Sequence, residues 1–204
     1  MKADPVAVAA LVILILLVSL AATQLKLTMD EPELVSLGAP LHKNTDLQLL
    51  PGENYTYLYN STEMAMEISY AISEGPGCTI ISISDAGGSA AVCLDGSGER
   101  VMGPESGYGD PTVLLFKPWM LALNESWRWN SSMYLTFNNS IPQHVSDISY
   151  RVVRRESCMG RDAFVVEVKS DTGEPEYQWV DAEKRITLRI LGDGYEVLLQ
   201  ERPA

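Results

Sequence analysis

From about residue 47 onward the chain alternates. Short runs in which every second residue is apolar are separated by Gly, Pro, Asp and Asn, the period of a strand with one face covered and the other in water. Tyr55-Thr56-Tyr57-Leu58-Tyr59 follows Pro51-Gly52, and residues 64–73 run into the turn Glu74-Gly75-Pro76-Gly77. Ile148, Tyr150 and Val152 alternate within residues 146–155. Phe164, Val166 and Val168 do the same within 163–169, with Glu167 and Lys169 on the other face. Runs at 176–180, 186–191 and 195–200 follow, parted by Asp171-Thr172-Gly173, Asp181-Ala182-Glu183-Lys184 and Gly192-Asp193-Gly194. Connections this short join antiparallel neighbours. Residues 118–124 are the helical candidate, and the Gly-rich stretch 95–111 is expected to be a long loop.

The expected fold is therefore mostly β: one large, curved, antiparallel sheet, a half-barrel or open barrel with a short helix or plug. A closed barrel or a sandwich is the alternative. Trp119, Trp127 and Trp129 fall within eleven residues, beside Phe116 and Met120. Such a cluster either lines an apolar groove for a lipid or peptide or plugs the open side of the sheet. These five residues are the candidate ligand contacts.

The N-terminus breaks the alternation. Every residue from Val6 to Val18 is Val, Ala, Leu or Ile, and Leu20, Ala21 and Ala22 follow Ser19. As a helix this run rises about 25 Å, at the low end of what spans a hydrocarbon core. A transmembrane helix and a cleaved secretory signal are the two readings. Lys2 precedes the run while Asp30, Glu31 and Glu33 come after it, which puts the N-terminus inside and the rest outside. The expected organisation is an anchor or signal peptide over 1–22, a stalk over 23–46 and an extracytoplasmic β-domain over 47–204. Both readings export the domain, at the cell membrane or as a secreted protein.

Charge and composition sharpen this picture. The 204 residues carry a net charge of −12, which repels phosphates and argues against a nucleic-acid partner. The mean hydropathy of 0.00 averages the apolar run with a polar remainder. Five of the seven Asn head N-x-[ST] triplets: Asn54, Asn60, Asn124, Asn130 and Asn138. That excess fits glycosylation of an exported surface, the alternative being polar turn residues. Cys78 and Cys93 flank a strand–turn–strand pattern. If residue 78 pairs with 93, residue 83 faces 88 around a four-residue loop, and Ile81, Ile83, Ala90, Val92 and Leu94 lie on the face away from the cysteines. A cross-hairpin disulfide is then sensible in an oxidising compartment, with two buried thiols as the other reading. Cys158 is left over, buried or free for an intermolecular bridge.

Catalytic signatures are sparse. Gly103-Pro104-Glu105-Ser106-Gly107 is one residue out of register for a nucleophile elbow, and His42 and His144 sit in no recognisable frame. No Cys-x-x-Cys or His-Glu-x-x-His occurs, so no metal site and no cofactor are expected. Asp95-Gly96-Ser97-Gly98-Glu99 alternates oxygen side chains as a calcium loop does, but is too short for an EF-hand and reads as a solvated turn.

Five segments together resemble a known group. They are Pro51-Gly52-Glu53-Asn54-Tyr55-Thr56-Tyr57, Lys117-Pro118-Trp119-Met120, the run from Gly160 to Val168, Tyr177-Gln178-Trp179-Val180-Asp181, and Ile186-Thr187-Leu188-Arg189. The pattern is similar to the LolA-like, lipoprotein-carrier-type half-barrel superfamily. The resemblance implies an antiparallel sheet curled around a hydrophobic cavity that in some members holds acyl chains. The expectation is a membrane-anchored, non-enzymatic binding or structural surface module. The alternative is a carrier or sensor of a lipid or other apolar ligand. Its partners would be the membrane, through residues 6–22, and a lipid or surface protein.

Overall fold

The computed structural model describes residues 33–85, 88–102, 112, 114–136, 143–171 and 173–200. The apolar run 6–22, Asn138 and most of the Gly-rich stretch lie outside them. The chain divides into two compact units. Of the smaller, residues 33–36, 133–136 and 143–145 are described; within it the Tyr134 ring meets the His144 ring edge-on at 5.5 Å. The larger comprises Leu37–Ser132 and Ser146–Ala204.

The described residues form twelve strands: β1 (Glu33–Gly38), β2 (Asn54–Ser61), β3 (Ala65–Gly75), β4 (Cys78–Asp85), β5 (Gly88–Leu94), β6 (Arg100–Met102), β7 (Arg128–Thr136), β8 (Gln143–Cys158), β9 (Arg161–Ser170), β10 (Glu176–Asp181), β11 (Thr187–Gly192) and β12 (Tyr195–Gln200). The order is β1-β7-β8-β9-β10-β11-β12-β2-β3-β4-β5-β6. From β8 to β6 along that order every pairing is antiparallel, and the sheet is open, with β1 and β6 at its edges. Consecutive strands are neighbours almost throughout, as the short connections require. Part of the stretch read as a stalk is ordered: it supplies β1, and Leu41 packs against the core. The Gly-rich stretch contains β6.

Period two sorts the side chains. Tyr55 and Tyr57 on β2, Ile68, Tyr70 and Ile72 on β3, and Val197 and Leu199 on β12 are buried. Asn54 and Asn60, which alternate with the β2 tyrosines, are exposed on the opposite face. On that opposite face charges pair along the strands: Arg151 with Glu167 (2.8 Å), Arg154 with Glu156 (2.8 Å) and Arg189 with Glu196 (2.7 Å).

The covered face is filled by the segment between β6 and β7. Lys117 is extended, as a residue before proline must be, and Pro118 opens a short 3-10 helix, Pro118–Ala122. Leu115, Phe116, Met120 and Leu121 have no exposed surface. Asn44 takes up the helix's terminal carbonyls: its N–H donates to Leu121 O (2.8 Å) and its Nδ2 to Ala122 O (2.6 Å). Thr187 N donates to Leu115 O (3.0 Å), and Tyr57 Oη donates to Thr187 O (2.7 Å), tying the segment to β11 and β2.

This filling bends the sheet. A Cβ at Gly98, in the β5–β6 turn, would stand 2.7 Å from Phe116 Cζ, while the Trp119 ring lies 5.5 Å from that of Tyr150 on β8. Strands β5 and β8 are eight positions apart in the order, about 38 Å in a flat sheet. Phe116 and Trp119 are three residues apart and span at most about 11 Å. Both contacts coexist because the sheet wraps round the segment.

The β4–β5 hairpin corrects one expectation. Asp85 pairs with Gly88 and Ile80 with Cys93, so the loop has two residues rather than four and Cys78 lies diagonal to Cys93. Gly88 N donates to the Asp85 carboxylate at 3.0 Å, closing the tighter turn. A shift of two residues leaves every side chain on its face. Ile81 and Val92 therefore still point into the core, and the disulfide still forms, with Cα atoms 5.8 Å apart.

Candidate ligand-binding face

The five aromatic-cluster residues separate into two groups. Phe116, Trp119, Met120 and Trp127 belong to the buried core. Trp119 stacks on Trp127 with centroids 5.5 Å apart and an interplanar angle of 19°. Trp129, on β7, is half-buried. Its Nε1 donates to Ala39 O (2.8 Å), and its ring lies 5.1 Å from that of Tyr150. Trp129 and Tyr150 thus carry the aromatic cluster from the core to the accessible part of the covered face.

A second group, unflagged by any sequence pattern, lies further along the same face. Glu176 on β10 points into it and accepts hydrogen bonds from Tyr195 Oη and Gln178 Nε2. Tyr195 reaches Glu176 because its ring lies across Gly192, where a Cβ would overlap Cε1, Cζ and Oη. The ring of Tyr59 on β2 stacks on Tyr195, with centroids 5.8 Å apart and 19° between planes. Gln178 is 1% exposed, and its Oε1 has no hydrogen-bond partner among the described residues. Burial and the Glu176 charge push the Tyr150 hydroxyl up to about 12. Burial, then the bond to Glu176, pushes Tyr195 upward also. Both phenols remain neutral donors at physiological pH.

Elsewhere the polar groups are spent locally. Asp95 Oδ1 accepts from Ser97 N (2.9 Å), Ser97 Oγ (2.7 Å) and Glu99 N (3.0 Å), so the calcium-like run is a self-satisfied turn. An open cleft of about 760 Å³ beside the β10–β11 turn is lined by Arg155, Arg161 and Lys184. Those cations already pair with Asp162, Asp181 and Glu53. Trp179, on the opposite face, lies under Arg154 and Arg189 and donates from Nε1 to Glu156 Oε1 (2.6 Å). Cys158 is half-buried, and burial raises its thiol pKa, away from the reactive thiolate. His42 and His144 are exposed.

The described sequon residues Asn54, Asn60, Asn124 and Asn130 are all exposed. Asn124 Oδ1 accepts from Ser126 N (3.0 Å) and Ser126 Oγ (3.1 Å) in a turn, so the acceptor Asn and its hydroxyl residue are already together.

Comparison with protein-family models and with curated proteins gives no match.

Proposed function

We propose that the chain is an exported β-domain, held at the membrane through residues 6–22, that works as a non-enzymatic binding module. The observation that carries this reading is the Cys78–Cys93 disulfide, a bond that persists in oxidising compartments. The exposed sequons add support, since four acceptor asparagines stand where a glycan has room.

The open sheet wrapped round an apolar segment accords with a LolA-like half-barrel. The alternative, carriage of an acyl chain against Phe116, Trp119, Met120 and Trp127, has less support, because those side chains occupy the space such a chain needs. Binding is better placed at the half-exposed end of the covered face.

Protease accessibility on intact cells tests the reading. The domain should be digested from outside, while the protein stays with membranes through an alkaline carbonate wash. A protected domain, or release of the protein by carbonate, sinks it. Native mass spectrometry of the detergent-extracted protein separates the alternative, which requires a co-purified acyl lipid.

A further inference from the structure

The group around Glu176 has the composition of a cation site. One register row crosses the covered face: Tyr150 pairs with Val168 and Val168 with Glu176. Tyr177 faces Leu191, which sets Glu176 beside Gly192, and Gly192 pairs with Tyr195. Tyr150 and Tyr195 thus stand four strand positions apart, about 19 Å across a flat sheet. Tyr195 reclines over Gly192 toward Glu176, which leaves a trough on the covered face between its ring and that of Tyr150. Its floor is Val168 and Glu176. The Tyr150 ring forms one wall, backed by Trp129, and the Tyr195 ring forms the other, backed by Tyr59.

Charge decides what fits there. Six other carboxylates pair with Lys or Arg: Glu53, Glu156, Asp162, Glu167, Asp181 and Glu196. Among the described residues Glu176 has no ion-pair partner. A tyrosine hydroxyl and an amide N–H orient its oxygens without neutralising them. A carboxylate on an apolar face is costly unless a positive charge meets it. Aromatic faces attract cations through the ring quadrupole. A hard divalent ion needs a shell of oxygen ligands, whereas this site offers one carboxylate among rings. The net charge of −12 adds long-range attraction for a positive ligand.

We propose that this trough binds an organic cation of the alkylammonium class, with Glu176 as its counter-charge and Tyr150 and Tyr195 as its aromatic walls. The assignment rests on the proposed binding role and names its ligand class. The cation can belong to a free solute or to a lipid headgroup, since the trough recognises the shared ammonium.

The test uses the full chain in detergent, titrated with choline chloride and followed by tryptophan fluorescence and calorimetry. A saturable response is expected, with 3,3-dimethylbutanol, the neutral isostere, at least about tenfold weaker. Glu176→Gln and Tyr150→Ala should each lower choline affinity about tenfold or more. Near-UV circular dichroism checks that both variants are folded. If Glu176→Gln unfolds, Gly192→Ala, which displaces Tyr195, serves in its place and should also weaken binding. No saturable response to either choline or the vesicles below, an equal response to the isostere, or full affinity in the folded variants overturns the assignment. Phosphatidylcholine and phosphatidylglycerol vesicles identify the source. Binding of the former only assigns the cation to a lipid headgroup; binding of choline without either vesicle assigns it to a solute. The outcomes stay distinct from those for location. An externally exposed chain that ignores both choline and phosphatidylcholine sinks this assignment, and a cytoplasmic chain that binds choline sinks the proposed export.

Discussion

Gly192 is where the absence of a side chain has the most consequence. The Tyr195 ring occupies the volume of a Gly192 Cβ in order to reach Glu176. In Gly192→Ala the ring must swing away, losing a hydrogen bond to a charged group worth about 1.5–3 kcal/mol. Urea unfolding should show a lowered midpoint at unchanged m-value. Phe116 is the corresponding position in the core, wholly buried against Gly98. Phe116→Ala leaves a cavity that cannot collapse between helix and sheet, and should cost about 3–5 kcal/mol in the same measurement. A loss below about 1 kcal/mol would mean that the segment does not fill the sheet. The two positions differ in legibility. Phe116 stands out as an aromatic in a cluster, but Gly192 reads as one more turn residue. Its role depends on Tyr195 and Glu176, which meet only through strand pairing.

At the scale of the element, the β4–β5 hairpin and the 3-10 helix show how local signals resolve. Alternation assigns each hairpin residue to a face but not to a partner, because a slip of two leaves the faces unchanged. The Gly88 N–H on Asp85 then settles the loop at two residues. Replacing both Cys78 and Cys93 by Ala removes a crosslink over a sequence separation of 15, worth about 3 kcal/mol in the chain-entropy account. Thermal unfolding of the double variant against the oxidised protein measures this. A midpoint equal to that of the oxidised parent contradicts the crosslink. Pro118 marks the start of the helix in sequence. Its far end is closed by Asn44, a residue 78 positions away, which no local pattern announces.

For the whole molecule, the tyrosines provide a pH readout. Burial is the main cause of the raised pKa at Tyr55, Tyr57, Tyr150 and Tyr195. Each binds its proton more tightly folded than unfolded, where the value is 10.0. Their contribution is complete below about pH 10 and is lost as pH rises through the folded values. Unfolding free energy should decline from about pH 10 upward, and these four phenols should stay protonated near pH 11 while ordinary ones ionise. Absorbance near 295 nm follows the ionisation directly; full tyrosine ionisation at that pH in the folded protein contradicts the burial. From the sequence alone came the β class, the antiparallel order of the C-terminal strands, the face each residue takes and the position of the helical segment. All of these follow from period two, proline and short connections, which act between near neighbours in the chain. The tertiary structure decided that Phe116 and Met120 fill the sheet, that Asn44 closes the helix and that the Tyr195 hydroxyl meets Glu176 on the covered face. Those depend on strands far apart in sequence lying side by side, and on one glycine making room for one ring.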